Sequence, residues 1–224
     1  MIPARLQTRG LIAYERAYRD MRLFNDTRDG SSLDELWVLE HPPVYTLGLA
    51  GRREHVIDAG GIPVIQTDRG GQVTYHGPGQ LVIYLMLDMK RLAVGVREYV
   101  TLLEQSMIDM LAEMRINAAR RSRAPGVYVD DRKIAALGVR IRRGCCYHGL
   151  ALNVDMDLKP FTGINPCGFE GLEVTQLSHY GVCMTVHDAA ERLLPLLMRH
   201  LGLECSSKED MPLHTVQNQA EIGA

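Results

Sequence analysis

Cys167, set between proline and glycine in Gly163-Ile-Asn-Pro-Cys-Gly168, is the side chain best placed by type and spacing to act as a nucleophile. Pro-Cys-Gly predicts a turn, where a thiol can face solvent and a substrate can come close. The thiolate is the reactive form, and an ordinary cysteine, with a pKa of about 8.5, is only a few per cent ionised at neutral pH. Cys167 therefore needs a cation or base beside it. Lys133 is the best candidate: it opens the run Lys-Ile-Ala-Ala-Leu-Gly-Val-Arg, which is otherwise mostly apolar. A lysine on such a strand is easily desolvated, which favours its neutral form. By itself, a strand-end lysine more often snorkels to water.

A third feature is Arg69-Gly-Gly-Gln-Val-Thr-Tyr-His-Gly-Pro-Gly-Gln80, followed by an apolar run from Leu81 to Leu87. Glycine lets backbone approach a ligand closely, and the polar residues between can hydrogen-bond it. This reads as a binding loop held by a buried strand; a plain Gly-Pro-Gly turn between two strands is the competing reading. The remaining candidates point to packing. Cys145, Cys146 and Cys183 fit small buried hydrophobes. Met86, Met107, Met110 and Met114 fit core positions rather than a soft-metal site. Cys167, His179 and Cys183 match no zinc-ligand spacing, so no metal is expected. There is no G-x-x-x-x-G-K-[ST], no G-x-G-x-x-G and no G-x-S-x-G, which removes both nucleotide fingerprints and the simplest serine-hydrolase reading.

These residues need a scaffold. Residues 11 to 25 show helical spacing through Leu11, Tyr14, Ala17, Tyr18, Met21 and Phe24. Strands are expected at Glu35 to Glu40, Val44 to Leu47 and Ile62 to Thr67. Gln80 to Asp88 reads as a central strand covered on both faces. A long helix follows over Val96 to Asn117, with Tyr99, Val100, Leu103, Met107, Met110, Leu111 and Met114 as its inner stripe. Gly126 to Met156 is a β-meander turning at Asp130-Asp131 and at Arg142-Arg143-Gly144. A last helix spans Val186 to Leu201, with Thr185 and Asp188 at capping-box spacing, Pro195 expected to kink it, and Gly202 as its stop. The polar residues 206–224 read as a tail, leaving residues 1–205 as one α+β domain.

The chain's 224 residues, 46% hydrophobic and 23% charged, can bury one large core. The N-terminus shows no secretory pattern. No apolar run nears the roughly 18 residues of a membrane span, so no membrane partner is expected. An odd cysteine count without a C-x-x-C pair argues against a disulfide framework and for a reducing cytoplasm. From Arg115 to Arg143 nine Lys/Arg stand against two Asp, a local +7, so the rest of the chain carries −9 against an overall −2. That segment is either a docking face for an acidic partner or a solvated surface. It lacks any nucleic-acid motif, and nucleic acid is not an expected partner.

Three blocks, Arg69 to Gln80 (RGGQVTYHGPGQ), Pro125 to Asp157 and Phe161 to Gln176 (FTGINPCGFEGLEVTQ), closely resemble the octanoyltransferases of lipoate biosynthesis, and the likeness covers roughly residues 10 to 205. The resemblance implies the fold of biotin and lipoate protein ligases: a mixed β-sheet, a smaller second sheet and flanking helices. It implies an enzyme that moves an octanoyl group from acyl carrier protein to one lysine of a lipoyl domain, in 2-oxoacid dehydrogenase E2 subunits or the glycine cleavage H protein. No cofactor is called for, and a monomer is the expected state. Cys167 becomes the thioester carrier and Lys133 its activator. Arg69, Gly70, Gly71, Gln72, Val73, Thr74, Tyr75 and His76 become the wall of the acyl site, with Ala136, Leu137, Gly138, Gly149, Leu150 and Ala151. Ala136 departs mildly from the expected pattern, where serine or another small residue is usual. The basic segment gains an acidic carrier as partner, touching Arg140, Arg142 or Arg143. Three rivals stay open: an ATP-dependent lipoate or biotin ligase, a cysteine hydrolase using His76 or His148, and a non-catalytic module that binds lipoyl domains.

Overall fold

The computed structural model describes residues 1–122 and 124–206, and its organisation follows from one strand. Every residue from Gln80 to Met86 is buried, which in a strand of alternating side chains requires a protein layer on each face. In chain order the elements are β1 (Ile2–Leu11), α1 (Tyr14–Thr27), β2 (Asp34–Glu40), β3 (Val44–Leu47), β4 (Val64–Gln66), β5 (Val73–His76) and β6 (Gln80–Met86). They continue with α2 (Met89–Leu92), α3 (Val96–Glu113), β7 (Ala119–Arg121), β8 (Ala124–Val129), β9 (Arg132–Arg142), β10 (Cys145–Asn153), α4 (Val186–Leu201) and β11 (Leu203–Cys205). The main sheet runs β11-β1-β2-β6-β10-β9-β8-β7, and a second sheet runs β4-β3-β5. β1 pairs in parallel with β2 and β11, and the main sheet is antiparallel from β2 onward.

Alternation along β6 builds the layers. Leu81, Ile83 and Leu85 pack with Tyr99, Leu103, Met107 and Met110 of α3 and with Leu193 and Leu197 of α4. Val82, Tyr84 and Met86 turn the other way, onto Ala17 and Met21 of α1, with Trp37, Tyr147 and Ala151. A third cluster, Tyr45, Leu47, Val73, Tyr75, Met156, Phe161 and Ile164, seats the second sheet. The meander forms because Asp130 (φ +46) and Asp131 (φ +63), then Arg143 (φ +52) and Gly144 (φ +81), take left-handed pairs at both tight turns, the geometry whose twist matches antiparallel strands.

Several sequence expectations move. The first helix begins at Tyr14, because Leu11 ends β1. That strand was not expected: its polar, weakly alternating residues bury only Ala4. α3 stops at Glu113 rather than Asn117. Arg115 turns left-handed (φ +61), and Ile116 folds back so that its N–H donates to Leu111 O at 2.9 Å. The capping box of Thr185 and Asp188 forms, Gly202 closes α4 at φ +64, and the helix is assigned continuously through Pro195. Cys146 is fully buried as expected, but Cys145 is partly exposed and Cys183 exposed, because the latter lies in the loop before α4. The expected tail lies, from residue 207 onward, outside the described residues. Among the described residues no helix is long and apolar enough to cross a membrane.

Gly149 shows how closely the central strands approach. A Cβ there would sit 2.1 Å from the backbone oxygen of Ile83 on β6, and β10 would have to back away from its partner. Gly149→Ala is expected to cost about 2–4 kcal/mol of stability. An unchanged urea midpoint would contradict the packing described.

Candidate active site

Cys167 occupies a single 3₁₀ turn, Pro166–Gly168, in left-handed conformation (φ +58, ψ +15). That region is unfavourable for a residue with a Cβ and is held only by its surroundings. The segment is tied down on either side. Val56 bridges to Ile164, Asn165 N–H donates to His55 O at 2.9 Å, and Val174 bridges in parallel to Lys133. The thiol meets the start of β9, where Lys133 Nζ donates to Cys167 Sγ at 2.7 Å and to Pro125 O at 3.0 Å. Lys133 is buried, its Nζ 5.4 Å from the Tyr128 ring centroid. Among the described residues no carboxylate pairs with it. The side chain fits because residue 126 is glycine: at φ +143, a Cβ would fall 2.4 Å from Lys133 Cε. Buried Glu104 on α3 fixes that glycine, accepting its N–H at 2.9 Å and pairing with Arg120 at 3.1 Å.

Beside the thiol opens a mostly apolar cavity of about 350 Å³, within the range of small-ligand sites. Its wall includes Arg69, Gly70, Gly71, Gln72, Val73, Thr74 and His76, together with Ala136, Leu137, Gly138, Gly149, Leu150, Ala151 and Cys167. Tyr75 is not part of it. The period of two along β5 sends its ring away, against Tyr45 and Phe161. The glycine loop is sewn in place on both sides: Gly70 N–H donates to Val139 O at 2.9 Å, and Leu49 N–H to Arg69 O at 2.8 Å. Arg69 is itself buried and reaches only neutral acceptors, with Nη2 on Thr46 O at 2.6 Å and Nη1 on Gly70 O at 2.9 Å. Two buried cations thus belong to the site: Lys133 touches the thiol, while Arg69 packs against Gly138 in the cavity wall. A cation beside the thiol suits negative charge developing at a reacting carbonyl.

Tyr14, Val82, Tyr84, Val100, Val139, His148 and Phe169 also line the cavity and were not read from the sequence as site residues, save that His76 and His148 were left open as substrate contacts. Both histidines belong to a buried polar network. His76 Nδ1 lies 2.7 Å from Gln80 Oε1; His41 spans Ile12 O and Tyr84 Oη, each at 2.7 Å. His148 Nε2 lies 3.0 Å from Asp68 Oδ1, and Tyr147 Oη also donates to Asp68. Burial pushes Asp68 up, yet hydrogen bonds from His148, Tyr147 and Tyr18 outweigh it and hold the carboxyl well below the usual range.

Burial lowers His41 to about 4 and His76 to about 3, so both are neutral in the folded state while the unfolded chain protonates them near 6.5. The stability they support is therefore complete above about pH 6.5. It is lost as pH falls toward 3–4, at no more than about 1.4 kcal/mol per pH unit for each ring. Urea unfolding is expected to show about 2–4 kcal/mol less stability at pH 5 than at pH 7, and equal stabilities would contradict the neutral buried pair.

Part of the basic segment is paired where it sits. Arg120 pairs with Glu104, Arg121 with Asp131, Arg132 with Asp130, and Arg142 and Arg143 with Asp26. Asp26 of α1 and Glu104 of α3 lower its +7 to +5, since Asp130 and Asp131 are already counted.

The family profile and the curated relatives agree on one family. The profile of the lipoyl protein ligase A/B catalytic domain matches residues 13–197. An octanoyltransferase of Chromobacterium violaceum is 56% identical over 208 residues, 93% of this chain and 99% of that protein. One of Shewanella baltica is 60% identical over 191 residues, 85% and 88% of the two chains. Among solved structures, a lipoate-protein ligase A bound with ATP superposes with TM-score 0.76 at 13% identity, covering 93% of this chain and 91% of the other. The biotin protein ligase of Aquifex aeolicus, in complex with biotin and ATP, gives 0.56 at 12%, covering 88% and 70%. At such identities these two show the shared fold alone.

Proposed function

Because the chain belongs to the lipoyl protein ligase A/B catalytic family, and within it to the octanoyltransferases, acyltransferases of protein lipoylation, we propose that it draws its octanoyl group from acyl carrier protein, carries it as a thioester on Cys167 and delivers it to a lysine of a lipoyl domain. The observation that carries this reading is the 2.7 Å contact between Lys133 Nζ and Cys167 Sγ at the mouth of an apolar cavity.

In the reactive form of the pair Lys133 is the ammonium and Cys167 the thiolate. The thiolate attacks the donor carbonyl, the C–S bond to the carrier breaks, and the carrier leaves as a thiol. One thioester replaces another, so the step is near neutral and needs no nucleotide. The acceptor lysine must lose a proton before it attacks, which at pH 7 costs roughly 4–5 kcal/mol for a pKa near 10.4. Lys133, having given its proton to the departing carrier thiolate, is neutral and takes that proton. The amide forms as the C–S bond to Cys167 breaks, the second amine proton leaves to solvent, and the ammonium–thiolate pair is restored. The Lys133 ammonium stabilises the oxyanion as it develops beside Cys167. Neither His76 nor His148 is hydrogen-bonded to the thiol, which weighs against a cysteine hydrolase. The ligase alternative rests on structures at 13–15% identity, against 54–60% for octanoyltransferases. The acceptors are lipoyl domains of E2 subunits or the H protein, the protein works in the cytoplasm, and it acts as a monomer. Residues 1–205 form the catalytic unit.

Intact-protein mass spectrometry after mixing the enzyme with octanoyl-acyl carrier protein, without ATP or acceptor, is expected to show one added octanoyl group, passed on when a lipoyl domain is supplied. Absence of the adduct, with transfer only from free octanoate and ATP, would overturn the reading. Burying about six methylenes at ~0.8 kcal/mol each adds roughly 5 kcal/mol of binding. Hexanoyl and decanoyl donors are accordingly expected to load measurably and acetyl donors poorly. Equal kcat/KM for acetyl and octanoyl would contradict the cavity's role.

A further inference from the structure

Most of the acyl cavity's wall is apolar, yet two lining residues bring polar atoms that the protein leaves unanswered. His148 is 1% exposed, sits at φ +63 within β10, and its Nδ1 has no hydrogen-bond partner. Tyr14 is 2% exposed, and its Oη has no partner at full hydrogen-bond geometry, only the Thr67 side chain acting on it from nearby. The two share surroundings: the Tyr18 ring lies 6.1 Å from Tyr14 and 5.5 Å from His148, and Asp68 acts on both. A buried unpaired polar atom and a left-handed non-glycine residue each cost stability. Here these features fall on one cavity, the pattern expected where a ligand supplies what the protein lacks.

Chemistry defines the missing partner. Asp68 is ionised and acceptor-only, so the His148 nitrogen facing it, Nε2, carries the proton. Burial lowers the ring's pKa despite that carboxylate, so the imidazole is neutral and Nδ1 presents a bare lone pair. Burial also pushes Tyr14 to about 12, so its hydroxyl stays protonated and can donate. A hydroxyl answers either one: it donates to His148 Nδ1 and accepts from Tyr14 Oη. A methylene answers neither.

Position along the strand says which part of the acyl chain meets these atoms. Lys133 Nζ lies beside Gly126 near Ala135 O, whereas His148 pairs with Val139. Four residues of β9 separate those levels, about 13 Å at ~3.3 Å per residue. With the thioester on Cys167, the unpaired atoms face the methyl end of the chain. We propose that this distal end is a hydroxyl-binding subsite built from His148 Nδ1 and Tyr14 Oη, through which the enzyme accepts medium-chain acyl groups hydroxylated near their methyl end as a second class of donor. The orientation rests on the Cys167 reading above.

The test uses N-acetylcysteamine thioesters of octanoate, 7-hydroxyoctanoate and 7-oxooctanoate, competing for transfer to a lipoyl domain with both products read by mass spectrometry. Product ratios cancel any general loss of fold or activity. The hydroxylated donor is expected within about 5-fold of octanoyl, where a wholly apolar wall would disfavour it about 100-fold. Tyr14→Phe is expected to lower the hydroxyl-to-alkyl ratio about 10-fold. Asp68→Asn can donate to Nε2 and so move the ring proton to Nδ1, which shifts preference from the 7-hydroxy to the 7-oxo donor. A 100-fold poorer hydroxylated donor, with a ratio indifferent to Tyr14→Phe, would mean that these atoms serve only water and would overturn the proposal. Failure of octanoyl to load Cys167, with product ratios behaving as expected, would instead overturn the covalent reading and leave the subsite standing.

Discussion

Cys167→Ala should abolish the acyl-enzyme and lower transfer by about 10³–10⁶-fold, the span seen when a covalent nucleophile is removed from an otherwise intact site. The fold should hardly register the change. Cys167 is partly exposed on a 3₁₀ turn, belongs to none of the three core clusters, and has Lys133 as its side-chain partner. The variant should unfold at nearly the wild-type urea concentration while losing transfer. Cys167→Ser sharpens the test, because a serine hydroxyl keeps the turn but is a far poorer nucleophile beside a lysine. Any adduct it forms would be an oxygen ester, which resists the neutral hydroxylamine that cleaves a thioester. Transfer within tenfold of wild type in Cys167→Ala would remove the covalent route altogether.

The second large effect separates the two jobs assigned to Lys133. Lys133→Arg keeps a cation beside the thiolate but cannot deprotonate. Loading should continue, with water in place of Lys133 protonating the departing carrier thiolate, while attack by the acceptor amine, which needs a base, should slow by about 10²–10⁴-fold. The acyl-enzyme should therefore accumulate. Lys133→Met keeps the aliphatic reach without charge and should impair both steps, because the attacking sulfur loses its hydrogen-bonding partner. Arginine is bulkier and lies over Gly126, where space is tight, so the informative quantity is the partition between loading and delivery within that variant. Equal slowing of the two steps by Lys133→Arg would refute the base role, and unimpaired loading in Lys133→Met would refute the activating one.

The parts of this molecule that were legible in the sequence are those governed by local pattern. The buried run of β6, the stripe of α3, the two tight turns of the meander and the cap of α4 each follow from residues close together in the chain. β1 was hidden because it is held by parallel pairing with distant β2 and β11, and its own residues alternate weakly. Tyr75 lies outside the cavity wall for a simpler reason: a motif read as a block ignores that neighbouring strand residues face opposite ways. Tyr14 and Tyr84 could not be read as site residues, because they look like ordinary core positions until α1 folds over β6. The partnership of Asp68 with His148 spans 80 positions, and no spacing rule reaches that far. Charge was legible as composition but not as field, since Asp26 and Glu104 neutralise arginines far away in the chain.

The nucleophile and its partner are carried by different kinds of part. Lys133 starts a strand of the main sheet, while Cys167 rides on a short loop pinned by a bridge on either side, at Ile164 and at Val174. Exchanging the residues between those two anchors leaves every strand and helix of the framework unaltered. A lineage using this framework can therefore gain or abandon covalent chemistry by rewriting one loop, with little selection exerted by folding. Proteins only 12–15% identical to this chain share its architecture, and a loop replaceable without touching the framework is the part in which chains of one fold can differ most freely.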